Sequence, residues 1–290
     1  MPETCGPNVD ENCCTSLVVP GGTYFRSYDG VDFTDNSSPA TLSTFALDRF
    51  EVNVGRFRAF VDAGMGTQAS PPSAGDGLHP QIAGSGWDAS WNTELPANTA
   101  ALKTALECHS TYQTWTDPAG NNEGRPINCV NWYLAFAFCA WDGGRMPTEA
   151  EWNYAAAGGD EQRYYPWSAP YPPGSTTIDS THAVYDCLGD GNVACSFADI
   201  LTVGSRSPKG DGRWGHADLA GNLWEWNLDW YASYANPCND CANLTPASDR
   251  GVRGGSFALA SQPYLRAALR YHDTPDTRNT VTGFRCARTP

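Results

Sequence analysis

The sequence predicts a single mixed α+β domain, irregular and loop-rich, with little regular secondary structure. Three observations lead there. Hydrophobic residues make up 41% and charged residues 17% of the 290, enough apolar side chain for a large core and too little charge for global disorder. Twenty-nine Gly and 21 Pro stand among 11 Trp, 13 Tyr and 11 Phe, so large rings sit between tight turns and long helices are few. Apolar residues alternate in short stretches and take helical spacing in three others, which is the pattern of mixed elements.

In chain order, residues 1–16 lack hydrophobic periodicity and form a Cys-rich tail, held by disulfides, ahead of a domain over 17–290. Leu17 to Phe25 is an apolar run broken at a Pro-Gly-Gly turn, and Phe45 to Val52 alternates as a strand. A helix follows, with Asn53 as N-cap, Phe57, Phe60 and Val61 on one face and Gly64 as its stop. Residues 66–124 are rich in Gly, Pro, Ser and Asn, with Trp87, Trp91 and Trp115 scattered through them. They read as a long surface excursion of the kind that often carries function. A second helix runs from Trp132 to Trp141 after Asn131 and ends at Asp142-Gly-Gly. The third begins at Thr148, which forms a capping box with Glu151. Residues 160–290 read as short aromatic strands between turns.

A net charge of −14 excludes a phosphate backbone as partner, because such binding needs Lys and Arg to neutralise it. No apolar run of about 18 residues encodes a membrane span. Eleven cysteines, at 5, 13, 14, 108, 129, 139, 187, 195, 238, 241 and 286, point to disulfides in an oxidising compartment. Met1-Pro2 ahead of a polar Cys-rich stretch reads as a secreted chain, extracellular or periplasmic, whose leader is replaced by an initiator Met. The odd total leaves one thiol over, with Cys5 or the Cys13-Cys14 pair as its source. Cys187 with Cys195, and Cys108 with Cys129, are local pairings. Cys238-Asn-Asp-Cys241 closes on itself, and half a zinc site or a redox pair are the other uses of that spacing.

Four motifs occur in order: Gly144-Arg-Met-Pro-Thr-Glu-Ala-Glu-Trp-Asn-Tyr-Ala-Ala156, Asp218-Leu-Ala-Gly-Asn-Leu-Trp-Glu-Trp226, Arg253-Gly-Gly-Ser256 and Gly283-Phe-Arg-Cys286. Together they resemble the formylglycine-generating enzyme family, also called the sulfatase-modifying factor family, from about residue 18 to the C-terminus. The resemblance implies a single domain of that type, related to C-type lectins. It also implies a copper ion held by two cysteines after Arg-Gly-Gly-Ser. Here Leu259 and Tyr264 stand at those positions, with Ala260 and Pro263 at the accompanying His and Tyr. Neither Leu nor a neutral phenol replaces a thiolate for Cu(I), so copper and the family's oxidase activity are not expected. Cys139 and Cys286 match a disulfide of the family that closes about 148 residues, worth roughly 5 kcal/mol in the chain-entropy account. Gly221, Asn222, Leu223 and Glu225 fall on a calcium-binding segment, offering carbonyls, an amide and a carboxylate to a hard cation. A second calcium site would lie among Asp186, Asp190 and Asp199.

Two functional expectations follow. The first is a secreted, monomeric, disulfide- and calcium-stabilised pseudoenzyme that binds a small molecule, glycan or peptide through Tyr264, Gln262, His272 and Trp115. The second is an oxygen- or metal-dependent oxidoreductase rebuilt near 256–272. Ser256, His272 and Tyr264 are its catalytic candidates, and His216, His272 and Asp273 are a conceivable iron triad. Arg266, Arg270, Arg278 and Arg285 are expected to pair with Asp218, Glu149 or Glu151 for stability.

Overall fold

The computed structural model describes residues 4–8, 10–260 and 262–290. Its strands are β1 (Thr4–Cys5), β2 (Glu11–Asn12), β3 (Ser16–Val19), β4 (Gly22–Phe25), β5 (Pro39–Leu42) and β6 (Phe45–Asp48). Four helices follow, α1 (Val54–Asp62), α2 (Thr99–Leu106), α3 (Trp132–Trp141) and α4 (Glu149–Ala157), and then β7 (Trp224–Trp230), β8 (Arg250–Arg253), β9 (Tyr271–Asp273), β10 (Thr282–Gly283) and β11 (Ala287–Arg288). None of these helices is long and apolar enough to cross a membrane.

Side-chain caps set the helix starts. Asn53, Asn98, Asn131 and Thr148 each accept an N–H from the first turn they precede, a bond worth about 1 kcal/mol per helix. The Thr148–Glu151 capping box is present in both directions. α3 is apolar on every side, and its residues from Trp132 to Cys139 are all buried, as a central helix requires. Its Phe138 stacks on Phe57 of α1 and meets Phe284 edge-on.

One sheet runs β10-β7-β8-β9, with β10 parallel to β7 and the other pairs antiparallel. A second runs β11-β6-β3. In the first, Glu225 pairs in register with Arg253, and Arg250 with Asp273. The register thereby brings the Trp-Glu-Trp motif beside the Arg-Gly-Gly-Ser motif. All nine residues of α4, including Glu149, Glu151 and Asn153, are buried between this sheet and the β4–β5 hairpin.

Two expectations are corrected. Residues 66–124 do not lie on the surface throughout: Trp87, Leu95, Leu102, Leu106 and Trp115 belong to the main core. α2 forms inside this stretch, where the Leu102/Leu106 pair at i, i+4 turns one face inward. Trp115, expected in a ligand groove, has no exposed surface. Arg58 of α1 lies over its ring at 4.2 Å and donates to the Thr116 carbonyl, so the loop is drawn under the helix.

The disulfides are Cys5–Cys13, Cys108–Cys129, Cys139–Cys286, Cys187–Cys195 and Cys238–Cys241, leaving Cys14 free and exposed. Cys139–Cys286 joins α3 to the segment entering β11. Cys5–Cys13 lies against the Asn53 amide, which ties the tail to the cap of α1. Five disulfides fit an oxidising compartment.

Candidate functional site

The Arg253-Gly-Gly-Ser turn needs its glycines. Gly254 and Gly255 sit at φ of +100° and +79°, and a Cβ on Gly255 would stand 2.6 Å from the Leu265 side chain. No L-side chain fits there without displacing its neighbour. Beyond the turn, Phe257 N–H donates to the Asn222 carbonyl, Cys187 N–H to the Phe257 carbonyl and Asp186 N–H to the Leu259 carbonyl. The segment is thereby stitched to two other loops.

Arg253 is fully buried and acts as an anchor. It meets Glu149 at 2.9 Å and donates to the carbonyls of Ala267, Ala268 and Leu269. Arg270 grips the same carboxylate through two bonds of 2.7 and 2.6 Å. Burial alone would raise the Glu149 pKa, yet the two guanidiniums hold it below its ordinary value. Asp229 nearby is pushed up to about 7, by burial first and by Glu149 second. The remaining arginines divide: Arg285 pairs with Glu225 and Arg266 with Asp32, while Arg278 donates to the Cys129 carbonyl. Glu151 instead pairs with Arg145 and His79, and Asp218 accepts from the Gly204 N–H. Of the expected pairings, only Arg270 with Glu149 forms.

Downstream, the side chains serve a different purpose. Leu259 is half-buried against the main core, and Ser256 is buried with no histidine hydrogen-bonded to it among the described residues. Tyr264 is 37% exposed and Tyr271 is 46% exposed. Trp224 stacks on Tyr271 with centroids 5.5 Å apart, and Tyr264 stands edge-on to both at 6.4 and 6.3 Å. Tyr271 continues to His272 at 5.2 Å, and His272 to Tyr231 at 4.3 Å. Five rings thus form one continuous aromatic face. Gln262 is exposed in the same short turn as Tyr264. His272 Nδ1 lies 3.0 Å from Asp249 Oδ2, placing a polar edge beside the rings. Tyr264, Gln262 and His272 therefore reach the surface around this cluster together with Tyr271 and the half-buried Tyr231, while Trp224 backs it from the core. Sequence reasoning missed Tyr271, Tyr231 and Trp224 because the cluster is assembled from Trp224 of β7, Tyr231 just after it, β9 and the turn that holds Tyr264.

At the turn expected to hold calcium, Gly221 takes φ +89° and packs against the Val184 carbonyl, where a Cβ would be 2.3 Å from that oxygen. Asn222 is left-handed at φ 60°. Its Nδ2 donates to Glu51 at 2.6 Å, the Leu223 N–H donates to the other Glu51 oxygen at 3.0 Å, and Asn222 Oδ1 is buried without a partner. Three buried carboxylates, Glu51, Asp218 and Glu225, face one guanidinium, Arg285. Burial first, then Asp218 and Glu225, push the Glu51 pKa well up. The unpartnered Asn222 oxygen, beside buried carboxyl groups that a cation would ionise, fits a cation at the turn. Glu225 does not fit as its ligand: both oxygens are engaged, by Arg285 at 2.7 Å each and by Trp152 Nε1 at 2.8 Å.

The iron triad is not assembled. His216 is fully buried and its pKa is pushed down to about 3 by burial and then by Arg285, whereas His272 lies at the surface. Among the described residues, no three of His, Cys, Asp or Glu converge on a shared metal position. Around the proposed second calcium site, the Asp199 carboxylate is used by the N–H groups of Asp190 and Ser196, and Asp190 caps Asn192.

Comparison with known proteins agrees with this geometry. Residues 2–290 match the family described as "Sulfatase-modifying factor enzyme 1-like domain". The chain is 30% identical to a formylglycine-generating enzyme of Thermomonospora curvata, over 94% of this chain and 93% of the relative. It is 29% identical to the "Inactive C-alpha-formylglycine-generating enzyme 2" of Mus musculus, over 93% and 84% respectively. The solved structure of PvdO from Pseudomonas aeruginosa shares the fold at a TM-score of 0.63 and 21% identity, over 95% and 94%. A family match across nearly the whole chain, on a fold whose four motifs meet around α4 and β7–β8, leads to one conclusion: the chain belongs to the sulfatase-modifying factor, or formylglycine-generating enzyme, family.

Proposed function

We propose that this chain is a secreted, lectin-like binding member of the family that works as a monomer without copper-thiolate oxidation. It recognises a glycan or a peptide on the face presented by Tyr264 and Tyr271 and backed by Trp224. One observation carries the reading: Tyr264, at the position that the resemblance gives to the family's second copper cysteine, presents its ring to solvent at the edge of a cluster of five rings. An exposed aromatic patch of this kind marks a binding surface, because rings bury large apolar area at little conformational cost. Gln262 and the His272–Asp249 pair supply hydrogen bonds at its rim. The mouse relative named as inactive supports a family role apart from formylglycine formation. Calcium, held through Asn222 Oδ1 and the carbonyls of the 221–223 turn, stiffens the loop to which Phe257 is bonded.

The reading is tested by titrating purified protein with a panel of soluble oligosaccharides and aromatic-rich peptides while following tryptophan fluorescence, with elemental analysis alongside. Saturable quenching that is lost in Tyr264→Ala and Tyr271→Ala at unchanged melting temperature is expected, together with calcium and no stoichiometric copper or iron. One copper or iron per chain, with turnover of a cysteine-containing peptide, would overturn it.

A further inference from the structure

Of the five disulfides, Cys238–Cys241 closes the smallest ring, with a sequence separation of 3. It therefore constrains the unfolded chain least. Nor does it hold its own loop in place. Thr41 N–H donates to the Cys238 carbonyl at 2.9 Å and Asp240 N–H to the Thr41 carbonyl at 3.0 Å. The Asp240 carboxylate accepts the Ser43 N–H at 2.7 Å and the Ser43 hydroxyl at 2.6 Å. A loop pinned by two hydrogen bonds to β5 and two to Ser43 just after it keeps its position when the S–S bond opens.

The surroundings of this bridge suit chemistry. Cys238 is buried, whereas Cys241 is only partly buried, in the wall of a cavity of about 550 Å³ that Arg26, Tyr234, Asn243 and Arg270 also line. Arg26 Nη1 lies 3.6 Å from Cys241 Sγ. Among the described residues Arg26 pairs with no carboxylate. Its other bonds go to the carbonyls of Ser38, Pro39 and Ala235 and to Asn236 Oδ1. The acids in the cavity wall are committed elsewhere, Glu149 to Arg253 and Arg270, and Asp229 to the N–H groups of Glu149 and Asn243. An uncompensated guanidinium beside a sulfur favours the thiolate, and stabilising the reduced form makes a disulfide the stronger oxidant.

We propose that Cys238–Cys241 is a thiol–disulfide exchange site whose substrate is a small thiol or a cysteine-containing peptide. A substrate thiolate attacks Cys241 Sγ, the intramolecular S–S bond breaks, and Cys238 leaves as a thiolate that takes up a proton. A second substrate thiolate then attacks the substrate sulfur of the mixed disulfide and releases Cys241 as a thiolate beside Arg26. Two electrons pass from the substrate sulfurs to the pair. Of the two protons lost by the substrate thiols, one goes to Cys238 and the other to solvent. The cavity adjoins the aromatic face through Arg270, which packs on Tyr231 at 4.4 Å, but its thiol chemistry does not depend on what that face binds.

The test uses the full chain carrying Cys14→Ser, which removes the exposed free thiol, equilibrated in glutathione buffers of stepped composition. Free thiols are then trapped by alkylation and located by mass spectrometry. Cys238 and Cys241 are expected to titrate together while the other four bridges stay closed and tryptophan fluorescence is unchanged. Arg26→Gln should lower the equilibrium constant for reduction about tenfold, equal to about 30 mV for a two-electron couple, and Arg26→Lys should stay near the native value. The paired change Cys238→Ser and Cys241→Ser should leave the melting temperature unchanged. Reduction only together with the other bridges and a fluorescence change, an unaltered constant in a folded Arg26→Gln chain, or a lowered melting temperature in the double serine variant would overturn the proposal. Should Arg26→Gln not fold, the titration of the native pair and the double variant still decide it.

Discussion

Within a dozen residues, the stretch from Arg253 to Tyr264 contains two regions built to opposite rules. Arg253 to Ser256 is buried, its arginine bound by Glu149, both glycines at positive φ and Gly255 also forced by a contact under 3 Å. Among the described residues, Leu259 to Tyr264 has no ionic partner, and it ends on a ring open to solvent. The first half anchors four elements at once, so a change there propagates into α4 and β8. The second half touches the core only through Leu259 and otherwise borders the surface, so most of its side chains are free to change chemistry while the fold persists. This difference explains how a family signature survives beside a segment that holds no cysteine.

The largest effect expected to sharpen that contrast comes from Glu149→Ala. It strands Arg253 and Arg270 in the interior and should cost about 3–5 kcal/mol, measured by urea unfolding. Replacing Cys139 and Cys286 together with serine should cost roughly 2–5 kcal/mol without altering ligand binding at the aromatic face. Thr148→Ala removes one half of the capping box of α4 and should cost about 1 kcal/mol. Tyr264→Ala lies at the other end of the scale, within about 0.5 kcal/mol of the native stability. A loss from Tyr264→Ala as large as that from Glu149→Ala would break the comparison.

The buried ionic half should also leave a signature in pH. Asp229, raised to about 7 in the fold from an ordinary 3.8, contributes stability that is complete below about pH 4 and is lost as pH rises through 7. Glu149 and Glu151 are depressed, Glu151 to about 2 because Arg145 and His79 outweigh its burial. Their contribution is present above about pH 4.5 and is lost as pH falls toward 2. Unfolding free energy should therefore peak on the acidic side of neutrality, and Asp229→Asn should flatten its decline between about pH 4 and 7.

What could be read from the sequence follows the same division between local and distant causes. Asn53, Asn131 and Thr148 announced their helices because a cap acts on residues two or three positions away. Gly254 and Gly255 marked a turn for a similar reason. α2 was hidden because a single Leu102/Leu106 pair is a faint signal inside a Gly- and Pro-rich stretch, although Asn98 is a proper cap. Trp115 was misplaced because its burial depends on Arg58, far away in sequence, drawing the loop beneath α1. Glu225 was expected to serve a cation, but its partner Arg285 sits 60 positions on, and no local pattern links them. The ring face was half legible: Tyr264 and His272 stood out by position, whereas Tyr271 and Trp224 meet only through the order of the strands.

The most direct measurement is a Cu(I) titration of the Cys14→Ser chain, followed by incubation with oxygen and a cysteine-containing peptide and mass analysis of that peptide. The account predicts no tightly held copper and no aldehyde product, with the same result for Tyr264→Ala. One copper per chain with conversion of the peptide cysteine to formylglycine would contradict it.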